Sequence, residues 1–305
     1  MRRLMHRAFG GPEVLELVEA PDPQPGPGEV RVRVHAAALN PVDWKIFSGT
    51  AAATSRGLEP PLGVGNDVAG VVDAVGDGVT SLRVGDRVLG SARARAMQDR
   101  TVVDLAQEAL VPIPDGLDDV RASCLVVAGR TAWAGVEALA VGGDDTLLVN
   151  GASGGVGVLA VQLARLRGAR VLGTASERKH DRLRAYGVEP VAYGDGLADR
   201  LRALGGVDAV FETHGTEGID AGLELGVPAA RMIGIATKGH AGVVGVPMDL
   251  GRTGAGLAEL AALAADGTLD VPIAGVVPLE RAVEAYRELM GGHVHGKLVV
   301  DLLAD

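Results

Sequence analysis

Early in the chain, apolar and polar residues alternate at the period of a β-strand. Val30, Val32 and Val34 interleave with Arg31, Arg33 and His35, which predicts a half-exposed strand. Just upstream, Pro21-Asp-Pro-Gln-Pro-Gly-Pro-Gly28 is a stiff turn that cannot be helical. Val68 to Val75 is a second β-rich run, closed by Gly76-Asp77-Gly78, and Asp86-Arg-Val-Leu89 is a third, preceded by Gly85. Short strands punctuated by Gly and Pro suggest a compact barrel or sandwich.

From about residue 121 the rhythm changes. Thr146-Leu-Leu-Val-Asn150 reads as a buried strand and is followed by a glycine-rich turn, Gly151 to Gly157. Val156, Leu159, Ala160, Leu163 and Ala164 then fall on one helical face, and Gly168 ends that helix. Arg170 to Thr174 begins the next strand, and Asp181 to Tyr186 looks helical up to Gly187. Val207 to Phe211 and Met232 to Ala236 are further strands. Strand, helix, strand at this spacing predicts βαβ units and a parallel sheet. Beyond about residue 265 come a helix, Leu279 to Met290, a Gly-rich turn and a last strand, Lys297 to Leu302.

Composition narrows the function classes. The 305 residues allow two domains. The formal charge of −10 argues against a general nucleic-acid or anionic-membrane binder, and 3% aromatics leaves no rows of base-stacking rings. Gly is abundant, 45 residues without a three-residue period, so turns and close backbone–ligand approaches are expected rather than collagen. Cys124 is the only cysteine, which excludes an intramolecular disulfide, an iron–sulfur cluster or a multi-thiolate zinc site within one chain. Its setting, Ser-Cys-Leu-Val-Val, reads as a buried inert thiol. No apolar run approaches the ~18 residues of a membrane span, and Met-Arg-Arg-Leu-Met-His-Arg lacks a secretory apolar region. A cytoplasmic protein is the expectation.

The turn between the first βαβ strand and its helix is a phosphate-binding candidate. In Gly151-Ala152-Ser153-Gly154-Gly155-Val156-Gly157, Ala152, Gly154 and Gly157 form the dinucleotide fingerprint with Ala in place of the first Gly. Missing Cβ atoms let the backbone approach a pyrophosphate, and the helix N-terminus supplies N–H groups and a favourable dipole. NAD sites usually carry an acid at the end of the second strand; here the strand ends Thr174-Ala175-Ser176, followed by Glu177-Arg178-Lys179. Ala175 tolerates a 2′-phosphate, Ser176 offers it a hydrogen bond, and Arg178 or Lys179 offers a charge. That favours NADP (NADPH); Glu177 reaching back to a ribose would favour NAD.

The chain as a whole resembles the medium-chain dehydrogenase/reductase superfamily, in its zinc-free quinone oxidoreductase (zeta-crystallin-like) branch. The resemblance rests on Phe9-Gly-Gly-Pro-Glu-Val14, Leu39-Asn-Pro-Val-Asp-Trp-Lys45, Val75-Gly-Asp-Gly-Val79 and Val84-Gly-Asp-Arg-Val88. It continues through Ala128-Gly-Arg-Thr-Ala132, Asn150 to Gly157 and Gly292-His-Val-His-Gly-Lys297, in family order along nearly the whole chain. The resemblance implies an α/β protein: a GroES-like, β-rich catalytic domain over 1–120, completed by 265–305, plus a Rossmann doubly wound parallel sheet over 121–264. It also implies a homodimer paired through Rossmann sheet edges; the apolar run Met232 to Ala236 and the Gly/Val run Ala241 to Val246 are candidates for that edge.

Zinc relatives place Cys where Asn40 stands and His-Glu where Asn66-Asp67 stands. Amides are poor zinc ligands, so no metal is expected. His293 and His295 read as surface turn residues. Thr131 matches the threonine that lies against the nicotinamide, and Tyr193 a tyrosine near the adenosine phosphate. The chain departs from the family at Arg130, where an apolar residue is usual. It departs again at Ser91 to Val103, where the Gly-aromatic-Ala-Glu-Tyr run that walls the cleft in relatives is missing.

Without metal, Cys–His pair or paired carboxylates, the chemistry falls to the cofactor. A reduced nicotinamide delivers hydride to an electron-poor carbon when the protein fixes distance and excludes water. A quinone or an α,β-unsaturated carbonyl (enone) fits such a site, since conjugation lowers the barrier and a donor suffices for the oxyanion. In the loop that carries the first metal ligand in zinc relatives, Asn40 is the candidate donor and Lys45 a cation or proton source. Asp43 either orients Lys45 or caps the turn. Two other readings stay open: a non-enzymatic NADP-binding sensor or crystallin-like protein, and a zinc-type alcohol dehydrogenase.

Overall fold

A computed structural model describes all residues except 56, 236, 238, 248, 250–253, 293 and 305. The chain divides into two compact units, Met1–Val127 with Arg252–Asp305, and Ala128–Gly251.

The first unit is built around one long strand. Glu29–Ala38 buries Val30, Val32, Val34 and Ala36 on one face, as its two-residue period dictates. It pairs antiparallel with Asp67–Val75 and with Arg100–Asp104. At its far end Ala38 sits opposite Val299 of the strand Lys297–Asp301, so the C-terminal segment completes this sheet. A separate three-stranded sheet joins Leu15–Glu19, Arg2–His6 and Leu62–Gly63. Phe47 meets Tyr286 edge-on at 5.5 Å between ring centroids within the core of this unit.

The second unit is a six-stranded parallel sheet. Its order is Glu189–Val191, Arg170–Thr174, Thr146–Asn150, Ala209–Glu212, Met232–Gly234, Val244–Gly245. The first strand in sequence is central, with the chain turning outward on both sides of it. That reversal opens a ligand crevice at the strands' carboxyl ends in doubly wound folds. The helix Gly157–Leu166 follows directly and buries Val158 through Ala164.

Several boundaries differ from the sequence expectation, each for a local reason. The units change over at 127 and 252 rather than at 120 and 265. The helix Asp119–Cys124 is tied to the first sheet, because Asp119 accepts from His35 Nδ1 at 2.8 Å and from Arg87 Nη2 at 2.5 Å. Gly254–Ala265 packs on the strand Leu110–Pro112 of the same unit. The helix expected over 279–290 starts as a 3₁₀ turn, Leu279–Arg281, and becomes α-helical only over Ala282–Met290. The strand expected over Met232 to Ala236 is Met232–Gly234, and Ala236 lies outside the described residues. Among the described residues no helix is long and apolar enough to cross a membrane.

Candidate functional site

In the second unit, glycines shape the turn after Thr146–Asn150. Gly151 has φ +77°, and its N–H donates to Thr174 Oγ1 at 2.9 Å. The Ala152 N–H donates to Thr174 O, which docks the turn on the neighbouring strand. A Cβ on Gly157 would lie 2.2 Å from Gly151 O, so the helix can begin this close to the turn only with glycine at its first position. Gly154 faces no such obstacle, its nearest neighbour being Gly151 O at 3.4 Å. Among the described residues, the backbone N–H groups of Ser153, Gly155 and Val156 make no hydrogen bond within the chain. The residues therefore fit a pyrophosphate: free donors at the start of a ten-residue helix, with no side chain within 4 Å of the place a Gly154 Cβ would take.

Beneath the turn lies a polar network that sequence reading missed. Asn150 Nδ2 donates to both oxygens of Glu212 at 2.9 Å, and Thr174 Oγ1 donates to Asn150 Oδ1 at 2.5 Å. Glu212 also accepts from the N–H groups of His214 and Gly218. Burial pushes its carboxyl above the usual range, opposed by these donors. The one available signal was a carboxylate ending the otherwise apolar strand Ala209–Glu212.

At the end of the second strand Ala175 is buried, and Ser176 precedes the 3₁₀ turn Glu177–Lys179. Burial, followed by the adjacent Arg178 charge, lowers the Lys179 pKa. Tyr193 is 59% exposed. Thr131 and Arg130 are buried at the start of the helix Arg130–Leu139, which follows a π-helical turn, Leu125–Gly129.

In the first unit, the loop bearing Asn40 is a closed side-chain cluster. Asn40 is 2% exposed and its amide is fully engaged. Nδ2 donates to Asp67 Oδ2 at 2.8 Å and to Ala38 O at 3.3 Å, while Oδ1 accepts from Lys297 Nζ at 2.5 Å. Lys297, 4% exposed, also donates to Leu39 O at 2.7 Å. Asp67 Oδ1 accepts from the Val127 N–H at 3.1 Å. Asp43 accepts from the Asn40 N–H at 2.8 Å, from Asn66 Nδ2 at 2.5 Å and from the Tyr286 hydroxyl at 3.2 Å.

This geometry changes one expectation and selects between the two roles left open for Asp43. Both hydrogens of the Asn40 amide are committed inside the unit, so as placed it has none for a substrate oxyanion. Asp43 caps the helix Pro41–Phe47 instead of orienting Lys45. Lys45 stands apart, its ammonium 5.7 Å from the Trp44 ring centroid, and among the described residues it forms no ion pair. Two carboxyls, Asp43 and Asp67, lie in the same cluster as the Lys297 ammonium, whose charge acts on Asp43 while its hydrogen bonds go to Leu39 O and Asn40 Oδ1. Burial, followed by the Asp67 charge, pushes the Asp43 carboxyl up to about 7, against the Asn40 and Asn66 donors and the Lys297 charge. Asp67, Tyr286 and Lys297 were missed from the sequence; a buried lysine opening the final strand ahead of Leu298-Val-Val300 was the only hint. Among the described residues no three His, Cys, Asp or Glu side chains assemble into a metal-holding group. His295 is half-buried, and His293 lies outside the described residues.

The profile described as Alcohol dehydrogenase GroES-like domain matches residues 26–113, and that described as Zinc-binding dehydrogenase matches 181–300. A mycocerosic acid synthase-like polyketide synthase of Mycolicibacterium smegmatis is 34% identical over 98% of this chain, which spans only 15% of that protein's length. A quinone oxidoreductase of Homo sapiens is 29% identical, covering 98% of this chain and 97% of its own. Among solved structures, the quinone oxidoreductase from Coxiella burnetii superposes with a TM-score of 0.87 at 29% identity, covering 99% of both chains. An NAD-dependent alcohol dehydrogenase superposes with a TM-score of 0.86 at 32% identity, covering 99% of this chain and 100% of that one.

Proposed function

We propose that this chain, which belongs to the medium-chain dehydrogenase/reductase superfamily in its quinone oxidoreductase branch, is a zinc-independent, NADPH-dependent reductase of quinones or enones. The observation that carries this reading is the glycine cradle at Gly151 to Gly157, with its uncommitted amides. The choice of cofactor is supported by the adjoining strand end, where Ala175 replaces an acid and Ser176, Arg178 and Lys179 follow. Bound NADPH supplies a hydride to an electron-poor carbon.

The chain's own residues do the rest. When NADPH binds, Ser153, Gly155 and Val156 would hold its pyrophosphate, Thr131 would lie at its nicotinamide and Tyr193 at its adenosine phosphate. Asn40 is a positioning residue, locked between Asp67 and Lys297. Lys45 donates to the substrate oxygen as negative charge develops there. Asp43 exchanges a proton near neutral pH. The reaction needs no zinc because amides stand at positions 40 and 66. A second copy of the chain pairs along the strand Val244–Gly245, which among the described residues has a neighbour on one side only and leaves Val244 64% exposed. The protein works in the cytoplasm.

The test is NADPH oxidation with a panel of quinones and enones, before and after prolonged chelation, with light scattering for the dimer. Activity that chelation abolishes and zinc alone restores contradicts the zinc-free mechanism. NADPH binding without turnover of any panel member favours the non-enzymatic reading.

A further inference from the structure

Arg3 stands on the strand Arg2–His6, whose last two residues pair with Leu62–Gly63. Its guanidinium lies against Gly63: a methyl group there would sit 3.2 Å from Arg3 Nη2 and 2.4 Å from Ala94 O. Arg3 Nε is sealed from solvent and has no hydrogen-bond partner. Neighbouring arginines are paired, Arg2 with Asp99 and Glu280, Arg7 with Glu16, and Arg93 with Glu108. Arg3 is not. What acts on it instead is a second cation, Arg95, whose guanidinium among the described residues donates only to Ala92 O, at 3.4 Å.

Three costs converge here without a return inside the chain. A guanidinium is partly desolvated with a donor unmet. A like charge lies nearby, Ala94 O being against Gly63 and so beside Arg3, and burial followed by the Arg95 charge lowers the Arg3 pKa. Arg95 is also delivered by two consecutive left-handed residues that carry a Cβ, Arg93 at φ 34° and Ala94 at φ 59°. An anion between the two guanidiniums would offset all three. Gly63 and Ala94 line a crevice together with Asp43 and Asn66, which places this pair of cations beside the polar loop.

We propose that Arg3 and Arg95 form an anion subsite that selects a quinone or enone bearing an acidic group, a carboxylate or a phosphate. The substrate class rests on the reductase reading; the anion site itself does not. Guanidinium forks hold carboxylate and phosphate oxygens through paired N–H donors, which fixes orientation as well as charge.

The experiment uses one linear enone in three forms: neutral, ending in a carboxylate, and ending in a phosphate monoester. The wild type should prefer one charged form over the neutral one in kcat/KM, and the two charged arms identify which acid it takes. Arg3→Gln or Arg95→Gln should cut that preference by about 10- to 100-fold, the value of one charge-assisted hydrogen bond. Binding is read separately, without turnover. The saturated carboxylate and phosphate analogues should raise the melting temperature of the wild type and not that of the variants. Arg95 is exposed and covers the case in which Arg3→Gln does not fold. If no enone is reduced, the reductase reading fails while the melting shift still decides the subsite. A wild type that neither prefers nor is stabilised by either acid, or variants that keep both effects, overturns the proposal.

Discussion

The dinucleotide turn and the Asn40 loop both concentrate hydrogen-bonding groups, but they use different material. The turn presents main-chain amides, kept open by glycines, and hides its polar side chains (Asn150, Thr174, Glu212) beneath them. The loop spends its side chains on one another: Asn40, Asp43, Asp67 and Lys297 satisfy a mutual network with little left over. A main-chain site therefore fails sterically, when a Cβ intrudes. A side-chain cluster fails electrostatically, when one charge is removed.

The largest effect should come from taking the ammonium out of the loop. Lys297→Met leaves Asp43 and Asp67 buried with no cation and Asn40 Oδ1 without its donor. Breaking a buried ion cluster in this way costs about 3–5 kcal/mol. Denaturant unfolding should show it, and Lys297→Met combined with Asp67→Asn should recover part of the loss by removing the surplus charge. A single variant as stable as the wild type would mean that the loop is not held by charge.

The next effect belongs to the turn and separates its two kinds of glycine. Gly157→Ala drives a methyl into Gly151 O at 2.2 Å and should destabilise the apo protein by roughly 1–3 kcal/mol. Gly154→Ala meets nothing closer than 3.4 Å, so the apo melting temperature should hold; on the proposed reading the methyl would stand where a pyrophosphate approaches, and NADPH affinity should fall about tenfold. Equal effects of the two substitutions on apo stability would erase that distinction. On the same site, Arg178→Ala with Lys179→Ala should weaken NADPH by about tenfold or more and leave NADH nearly unchanged. Unaltered selectivity would assign the phosphate to other residues.

This contrast also explains what was legible beforehand. The turn is contiguous from Gly151 to Gly157 and sits between a strand and a helix whose periodicities are plain, so the fold and the place of the candidate turn could be read there. The long strand Glu29–Ala38 was equally plain from its alternation. The Asn40 cluster was half legible. Asn40 and Asp43 lie three residues apart, but Lys297 arrives from 257 positions away because the last strand pairs with the end of Glu29–Ala38. No local pattern announces a partner that only sheet register supplies. For the same reason Asn40 read as a free donor: a single amide in a loop looks available until the residues that occupy it are in place.

The last effect is a slope rather than a step, and it concerns Asp43. Its carboxyl is raised from an ordinary 3.8 to about 7 by burial and by Asp67. A carboxyl that binds its proton more tightly in the folded state stabilises the fold fully below its unfolded pKa. That contribution is lost as pH rises through the folded value. Between about pH 4 and pH 7 the wild type should therefore lose stability relative to Asp43→Asn, at up to about 1.4 kcal/mol per unit. Asn at this position carries no proton to lose, so its own curve lacks the slope whatever its absolute stability. Paired denaturant curves at half-unit intervals isolate the term, because the other titrating groups are shared and cancel in the difference. A difference flat across pH 4–7 would mean that Asp43 stays ionised throughout, with Lys297 and the Asn66 amide outweighing desolvation. A slope of the opposite sign would mean that those partners hold its folded pKa below the unfolded one.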